Sequence, residues 1–264
     1  MPVSGLVWQL MPEDSEDGPS WESSTPVTTA VASVDSTMHS ATIAKPGARF
    51  AFARKFHVPF LKRPGKAGRK LPEAGPLLPP QAACVAGRKT LVLDLDETLV
   101  HSNFEGNAPS FTVQVNIADA VHNIHVAKRP CDYTDTDSFL EFCAKHFEVV
   151  IFTASMEKYA CPVVDVLDPN KKLFHGRLFR QHCTPQADNF VKDLSTLGRE
   201  LAQVVIVDNS PAAFALQPDN AIQILSWFDD PDDRELLDLI PILEALSRED
   251  DIPAIMRRAY RILT

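Results

Sequence analysis

The sequence predicts an α/β fold built around a parallel sheet. From residue 88 onwards, short runs of β-formers alternate with longer segments of helical periodicity, which is typical of strands joined by crossover helices. The predicted strands lie near residues 90–96, 147–153, 203–208 and 221–225. The predicted helices lie near residues 136–146, 156–167, 211–216, 232–247 and 251–262. Two shorter β runs, 111–117 and 121–127, are close enough in the chain to form a hairpin.

Residues 1–87 differ in composition from the rest of the 264-residue chain and are predicted to be a disordered, low-complexity tail. Ser, Thr, Pro and Gly dominate this part, and such a segment cannot bury enough apolar surface to offset the entropy lost on ordering. Residues 1–39 have a formal charge of −6, residues 40–89 have +10, and the remainder has −13, which gives −9 for the chain. We therefore predict one folded domain over residues 88–264.

The tail contains a basic segment at residues 45–70 that also carries Phe50, Phe52, Phe56 and Phe60. Three interpretations stay open. The segment is a nuclear-import or nucleic-acid patch, a helix at a membrane surface, or a solvated basic linker with a few docking aromatics. Its charge predicts salt-sensitive binding to an acidic partner, either a nucleic acid or the acidic domain of the same chain.

Other features narrow the class of protein. No stretch reaches the ~18 apolar residues that would span a bilayer, and the apolar run near the start lacks the basic flank of a signal peptide. The five cysteines show no CxxC spacing, so we expect free thiols in a reducing compartment. The nucleus and the cytoplasm both fit, and the basic segment favours the nucleus.

The stretch TLVLDLDETLVHS, residues 90–102, indicates where the chemistry lies. Asp94 and Asp96 are two residues apart on a strand, so their side chains share a face at its carboxyl end. Ligands of open α/β sheets bind at that edge. Two like charges so close together are tolerated if a cation lies between them or if one holds a proton. Both conditions suit a phosphoryl-transfer site.

These residues carry a family resemblance. DLDET resembles the DxDxT signature of the haloacid dehalogenase superfamily, and DLDETLVHS is similar to the phosphatases that act on the RNA polymerase II C-terminal domain. Further stretches resemble the small phosphatases of that branch, which are also called NLI-interacting-factor-like. They are KRP (128–130), FTAS (152–155), LFR (178–180), NFVKDLS (189–195), VDNSP (207–211) and SWF (226–228). The resemblance covers roughly residues 88–260 and implies a Rossmann-like sheet.

The resemblance implies a role for each motif. Asp94 is the expected nucleophile, which forms an aspartyl-phosphate, and Asp96 is the expected general acid and then base. Mg²⁺ is the expected cofactor, with Asp94, the Asp96 backbone carbonyl and Asn209 as ligands and Asp208 just behind them. The remaining expected groups hold the phosphate: Thr153, Lys192 and, at the edge, Arg180.

A cap domain over the site is not expected. Residues 100–128 hold little more than the predicted hairpin, and residues 156–190 hold one helix and a connecting segment, so neither is large enough to enclose a substrate. An open site suits a phosphate on a protein chain. Residues 131–138 are about one helical turn longer than the family leads us to expect, and we predict that Asp135 or Thr136 caps the following helix.

Substrate choice is assigned to a hydrophobic pocket by the same resemblance. The positions concerned are Phe104, Val115, Ile117, Ile124 and Met156. Val115 and Ile117 share a strand face, which agrees with a pocket wall. The alternative is that this face packs on the domain core. The pair His122 and His125 falls on opposite faces of a strand and is interpreted as structural.

Together these features predict an Mg²⁺-dependent protein serine/threonine phosphatase that acts on phosphoserine peptides of the RNA polymerase II C-terminal-domain type. Two alternatives stay open. One is a phosphatase for another phosphoprotein or for a small molecule. The other is an adaptor that binds a nucleic acid or a protein through its basic tail.

Overall fold

A computed structural model describes residues 75–104, 109–117, 120–131, 134–187 and 189–263. The predictions made for the basic segment and for the rest of residues 1–74 lie outside the described residues. Within the described part, an α/β domain is built around five parallel strands, as the sequence predicted.

The central sheet has the strand order β12–β11–β1–β7–β8. Its strands are β1 (Thr90–Leu93), β7 (Glu148–Phe152), β8 (Gly176–Leu178), β11 (Val204–Asp208) and β12 (Ala221–Gln223). Every residue of β1, β7 and β11 is buried, because both faces of the sheet are covered. Strands that are buried on both faces have continuous runs of Val, Ile and Leu, and these runs allowed the strands to be predicted from the sequence.

Alternate residues of each central strand enter different hydrophobic clusters. Leu91 and Leu93 belong to the larger cluster and Val92 to the smaller one. The four α-helices of the described residues all contribute to the larger cluster: α1 (Thr136–His146), α2 (Glu157–Leu167), α3 (Glu235–Leu246) and α4 (Ile252–Leu263). The smaller cluster is closed by irregular segments that carry Leu78, Cys183 and Phe214 and by the 3₁₀ turn Leu194–Leu197. The two faces of the sheet are therefore covered by different kinds of structure.

A second sheet lies in the chain between β1 and α1. It has the order β2–β4–β3, with β2 (Val100–Asn103), β3 (Phe111–Ile117) and β4 (Ala120–Lys128). The predicted hairpin is β3 paired with β4, antiparallel from Phe111 opposite Val126 to Ile117 opposite Ala120. The short strands β5 (Pro130–Cys131) and β6 (Thr134–Asp135) then lead into α1. A further antiparallel pair, β9 (Thr184–Gln186) and β10 (Asn189–Val191), precedes Lys192.

One local prediction was wrong and another is tested only in part. Of the two residues predicted to cap α1, Thr136 does not do so, because its buried hydroxyl donates to the backbone oxygens of Leu99 and Arg129 at 3.0 and 2.8 Å, and the side chain of Asp135 lies outside the described residues. Residues 211–216 form a series of turns instead of a helix. The reason is that neighbouring segments use the local hydrogen-bonding groups: Lys192 N donates to Ala213 O at 2.7 Å, and Asp208 Oδ1 accepts from Ser210 N at 2.8 Å.

The fold also begins earlier than residue 88. Leu78 and Val85 are 4% and 2% exposed, and Leu78 belongs to the smaller core cluster. The amides of Leu77 and Leu78 donate to the carbonyls of Thr196 and Leu197. Gly198 has a φ of +75°, and a Cβ there would lie 2.4 Å from the Cβ of Pro76. Residues 75–87 therefore belong to the domain, because their apolar side chains cover the face of the sheet that has no helices.

None of the helices in the described parts of the chain combines the length and the apolar character needed to cross a bilayer.

Candidate active site

The carboxyl ends of three adjacent strands bring the predicted polar residues together. Asp94 follows β1, Thr153 follows β7, and Asp208 is the last residue of β11. Asp94 N donates to Val207 O at 3.0 Å, so the hydrogen bonding between β1 and β11 continues to Asp94. A cavity of about 270 Å³ opens at this edge, and its lining includes Asp94, Asp96, Thr153, Lys192, Asp208 and Asn209.

Lys192 connects the two buried carboxylates. Its Nζ donates to Asp94 Oδ1 and to Asp208 Oδ2, both at 2.6 Å, although the residue is only 1% exposed. Burial would lower the pKa of Lys192, but the two carboxylates outweigh it and raise that pKa. Burial and the neighbouring Asp94 raise the pKa of Asp208, against the effect of Lys192. Two carboxylates share one ammonium here, so the cluster has an excess negative charge and favours a proton or a cation.

Asp96 has a different environment. Its Oδ1 accepts from the Tyr159 hydroxyl at 2.6 Å, and its Oδ2 accepts from the hydroxyls of Ser155 at 2.7 Å and Thr153 at 3.4 Å. Burial, together with the charge of Glu97, raises the pKa of Asp96 to about 6 in spite of these hydrogen bonds. A carboxyl group with such a pKa can give a proton to a leaving group and take one back from water near neutral pH.

Sequence reasoning missed Tyr159 and Ser155. Tyr159 lies in the first turn of α2, is 3% exposed, and shares its hydroxyl between Asp96 and the Ser102 hydroxyl, both at 2.6 Å. The available signal was a pair of hydroxyl side chains four residues apart, Ser155 at the end of the FTAS motif and Tyr159 in the first turn of the predicted helix that follows.

The turn that follows Asp96 is held by contacts from distant parts of the chain. Glu97 has a φ of 55°, which is uncommon for a residue with a side chain, and its amide donates to Val100 O at 2.7 Å. Its carbonyl accepts from Trp227 N at 2.8 Å. Arg129 is fully buried and forms two hydrogen bonds with Asp233, at 2.7 and 2.8 Å, while its Nη1 donates to Leu225 O at 2.9 Å. The KRP and SWF motifs therefore support the DLDET turn.

Thr153 and Arg180 are the two residues that the resemblance placed near the phosphate together with Lys192. Thr153 is 1% exposed and lines the cavity. Arg180 is half-buried, its Nε donates to Ala154 O at 2.8 Å, and its guanidinium lies 5.1 Å from the centre of the Phe190 ring. Burial lowers the pKa of Arg180. Ala154 and Phe190 line the cavity and Arg180 does not, so Arg180 lies just behind its wall.

The donor set at the strand ends fits a hard cation such as Mg²⁺. Asn209 Nδ2 donates to Ser226 Oγ at 2.9 Å, so the amide oxygen of Asn209 is the atom that could accept from a donor or bind a cation. Carboxylate, amide and backbone oxygens with excess negative charge are the ligands that Mg²⁺ prefers, with water completing its shell. In the described residues, no group of three or more His, Cys, Asp or Glu side chains is arranged to hold a metal by itself.

The residues predicted to form the hydrophobic pocket differ in their surroundings. Val115 and Ile124 are 2% and 0% exposed and lie in the larger core cluster, on the face of the β3–β4 hairpin against which α2 packs. Their burial favours the alternative of core packing, because alternation shows that residues share a face but not what covers it, and the pocket itself stays a prediction. Phe104 and Met156 are half-buried and do not line the cavity, and the side chain of Ile117 lies outside the described structure.

The parallel sheet whose central strand ends in an Asp-X-Asp pair, with a buried lysine opposite, has the architecture of the haloacid dehalogenase class of phosphatases. A family model described as "NLI interacting factor-like phosphatase" matches residues 89–253, and the chain belongs to that family.

Curated relatives agree with this assignment. The chain is 50% identical over 182 residues to a protein named "Probable C-terminal domain small phosphatase" from Dictyostelium discoideum, covering 69% of the chain and 58% of the relative. It is 51% identical over 189 residues to a human "CTD small phosphatase-like protein", covering 71% and 66%. It is 48% identical over 183 residues to the human "Carboxy-terminal domain RNA polymerase II polypeptide A small phosphatase 1", covering 69% and 68%. The chain thus spans less than two thirds of the first two relatives.

Proposed function

We propose that this protein is an Mg²⁺-dependent protein serine/threonine phosphatase that acts through an aspartyl-phosphate. The observation that carries the proposal is the difference between the two aspartates in one cavity. Asp94 is paired with a buried lysine and stays suited to attack, whereas Asp96 is hydrogen-bonded to hydroxyls and has a raised pKa. Those are the separate requirements of a nucleophile and an acid.

The residues act in two steps. In the first, an Asp94 oxygen attacks phosphorus, the bond to the serine or threonine oxygen breaks, and Asp96 gives its proton to that oxygen. In the second, Asp96 takes a proton from water, which attacks the phosphorus of the phosphorylated Asp94 and releases phosphate. Lys192 and Thr153 hold the phosphoryl oxygens, and the ammonium offsets the charge that accumulates on them.

Asp94, the Asp96 backbone carbonyl and Asn209 would hold Mg²⁺, with Asp208 orienting a water. When bound, the ion offsets the charge on the phosphate as it approaches the carboxylates. The Ser226 hydroxyl fixes the Asn209 amide, so the amide oxygen is presented in one orientation.

The proposed substrate is a phosphoserine in an extended protein segment, of the kind that the RNA polymerase II C-terminal domain provides. Two observations support this class: the site opens at a sheet edge, and the names of the relatives refer to that domain. We expect the full-length chain to hydrolyse phosphoserine-proline heptad peptides faster than phosphotyrosine peptides or sugar phosphates in Mg²⁺. A preference for sugar phosphates would contradict the proposal, and Asp94→Asn is the matched inactive control.

The role of the basic tail in binding an acidic partner stays a prediction, and so does the nuclear location of the protein. If residues 1–74 only recruit an acidic partner, deleting them should leave turnover of a short phosphopeptide unchanged and should abolish salt-sensitive binding to nucleic acid. A large loss of peptide turnover would instead show that the tail belongs to the catalytic unit.

A further inference from the structure

Two exposed apolar side chains flank Ser226, which contacts Asn209 of the cavity lining. Leu225 is 65% exposed and Phe228 is 40% exposed, and they are two of the four large hydrophobic residues that are exposed in the described parts of the chain. We call this pair the ledge. Exposed apolar side chains are common singly, but a pair next to a catalytic cavity is a candidate contact surface.

The backbone of the ledge is held in place. Trp227, between the two residues, is 5% exposed, and its indole Nε1 donates to Asp230 O at 2.7 Å. Trp227 N donates to Glu97 O, and Arg129 donates to Leu225 O. The Phe228 ring lies edge-on to His101, with ring centres 5.3 Å apart. A surface that is ordered before binding loses less entropy when a partner is bound.

The ledge is continuous with the catalytic edge of the sheet. Ser226, adjacent to Leu225, accepts a hydrogen bond from Asn209, which lines the cavity. Ile224 N donates to Asp208 O at 3.1 Å. A peptide whose phosphoserine occupies the cavity would therefore extend across the ledge within a few residues of the phosphate.

The charge around the ledge indicates what kind of segment it fits. Asp229, Asp230 and Asp232 are exposed immediately after Phe228, and Arg234 is the exposed cation near them, so the local balance is negative. We propose that the ledge binds an apolar side chain of the phosphoprotein substrate that has Lys or Arg next to it, a few residues from the phosphoserine. This inference rests on the proposed function and adds a sequence preference to it.

The test uses the full-length chain and a panel of phosphoserine peptides. In the panel, a Leu-Lys pair is moved stepwise from four residues before the phosphoserine to four residues after it, with Ser-Gly as the reference pair. We expect one position of Leu-Lys to raise kcat/KM. The double variant Leu225→Ser, Phe228→Ser is then compared with the wild type on that peptide and on p-nitrophenyl phosphate. The ratio of kcat/KM for the peptide to kcat/KM for p-nitrophenyl phosphate should fall by roughly tenfold, which is the effect of losing an apolar contact to the substrate.

The control is Val121→Ser, because Val121 is 66% exposed on β4 and is apart from the ledge. It should leave both rates unchanged. A second variant, Asp229→Asn with Asp232→Asn, removes charge without removing apolar surface. It should reduce the advantage of Leu-Lys over Leu-Ser peptides by roughly threefold or more, and thermal unfolding checks that each variant is folded.

The other outcomes are distinct. If all phosphopeptides are hydrolysed equally, the ledge proposal is overturned and the proposed function stands. If no phosphopeptide is hydrolysed while p-nitrophenyl phosphate is, the proposed function falls and the ledge proposal with it. If the ledge variants speed up hydrolysis, the occupant is the basic segment of the same chain acting as a competitor, which also overturns the proposal.

Discussion

Asp94 and Asp96 are chemically identical side chains whose contacts separate their roles. We expect Asp94→Asn to abolish turnover, because the amide keeps the shape and loses the attacking oxygen. Asp96→Asn should slow turnover by roughly 10²–10⁴-fold, since the carboxamide cannot give or take the proton. Steady-state rates with p-nitrophenyl phosphate measure both, and circular dichroism checks the fold. Activity like that of the wild type in Asp94→Asn would refute the assignment.

Tyr159 is expected to position Asp96. Tyr159→Phe removes the hydroxyl 2.6 Å from Asp96 Oδ1 and keeps the ring in the core. We predict a decrease in kcat of roughly tenfold with little change in KM, because the loss affects the proton donor and not phosphate binding. Ser102→Ala, which removes only the second partner of the tyrosine hydroxyl, is the matched control and should have a smaller effect. Equal effects on kcat and KM would favour a structural role.

The sequence was informative about residues whose position is fixed by a motif and by strand order. Asp94, Thr153 and Asp208 lie 59 and 55 residues apart in the chain, yet the parallel sheet brings its strand ends to one edge. Lys192 follows β10, outside that sheet, and its position was expected from motif order alone. Tyr159 could not be placed from sequence, because its partner Asp96 is reached only through the packing of α2. The burial of Val115 and Ile124 could not be predicted for the same reason, because it also depends on the packing of α2.

At the scale of elements, the segment 75–87 covers part of the core on the face of the sheet that has no helices. A chain that begins at residue 88 would expose the surface that Leu78 and Val85 cover and would lose the Gln81 hydrogen bond to Glu148 at 3.0 Å. We expect it to be less stable than a chain that begins at residue 75, by about 2 kcal/mol for each buried side chain. Urea unfolding of the two chains measures the difference, and identical midpoints would contradict the assignment.

The amino-terminal edge of the sheet should give the domain a pH dependence. Glu148 starts β7, is 3% exposed, and accepts from Arg199 at 2.6 and 2.8 Å. Burial would raise the pKa of Glu148, but hydrogen bonds from Arg199, Gln81 and Thr90 outweigh it and lower the pKa below 4.5. The stabilisation is therefore present above pH 4.5 and is lost as the pH falls through the lower folded-state pKa.

Arg199→Gln tests this dependence. At pH 7 it should lower the free energy of unfolding by about 1.5–3 kcal/mol, because a buried carboxylate loses its charged donors. The difference from the wild type should shrink below pH 4.5, where Glu148 becomes protonated. Arg248→Gln is the control, since its pair with Glu244 is 70% and 43% exposed and surface pairs contribute little. A pH-independent difference would count against the ion pair as its source.

At the scale of the whole molecule, the excess negative charge at the strand ends links stability to metal. Mg²⁺ should raise the melting temperature, because it binds the folded site and not the unfolded chain. Activity should require Mg²⁺, and Ca²⁺ should inhibit, since its larger shell misplaces the attack. Asn209→Ala should raise the Mg²⁺ concentration needed for both effects. Full activity in excess chelator would exclude this role for the metal.

Two contacts of the loop that carries the ledge go through main-chain atoms. Arg129 donates to the carbonyl of Leu225, and the amide of Trp227 donates to the carbonyl of Glu97. Neither of these two contacts depends on which side chain stands at position 225 or 228. Substitutions at those two surface positions can therefore alter the ledge while both contacts are kept. In this domain the side chains proposed to select a substrate can change while the residues of the candidate active site stay the same.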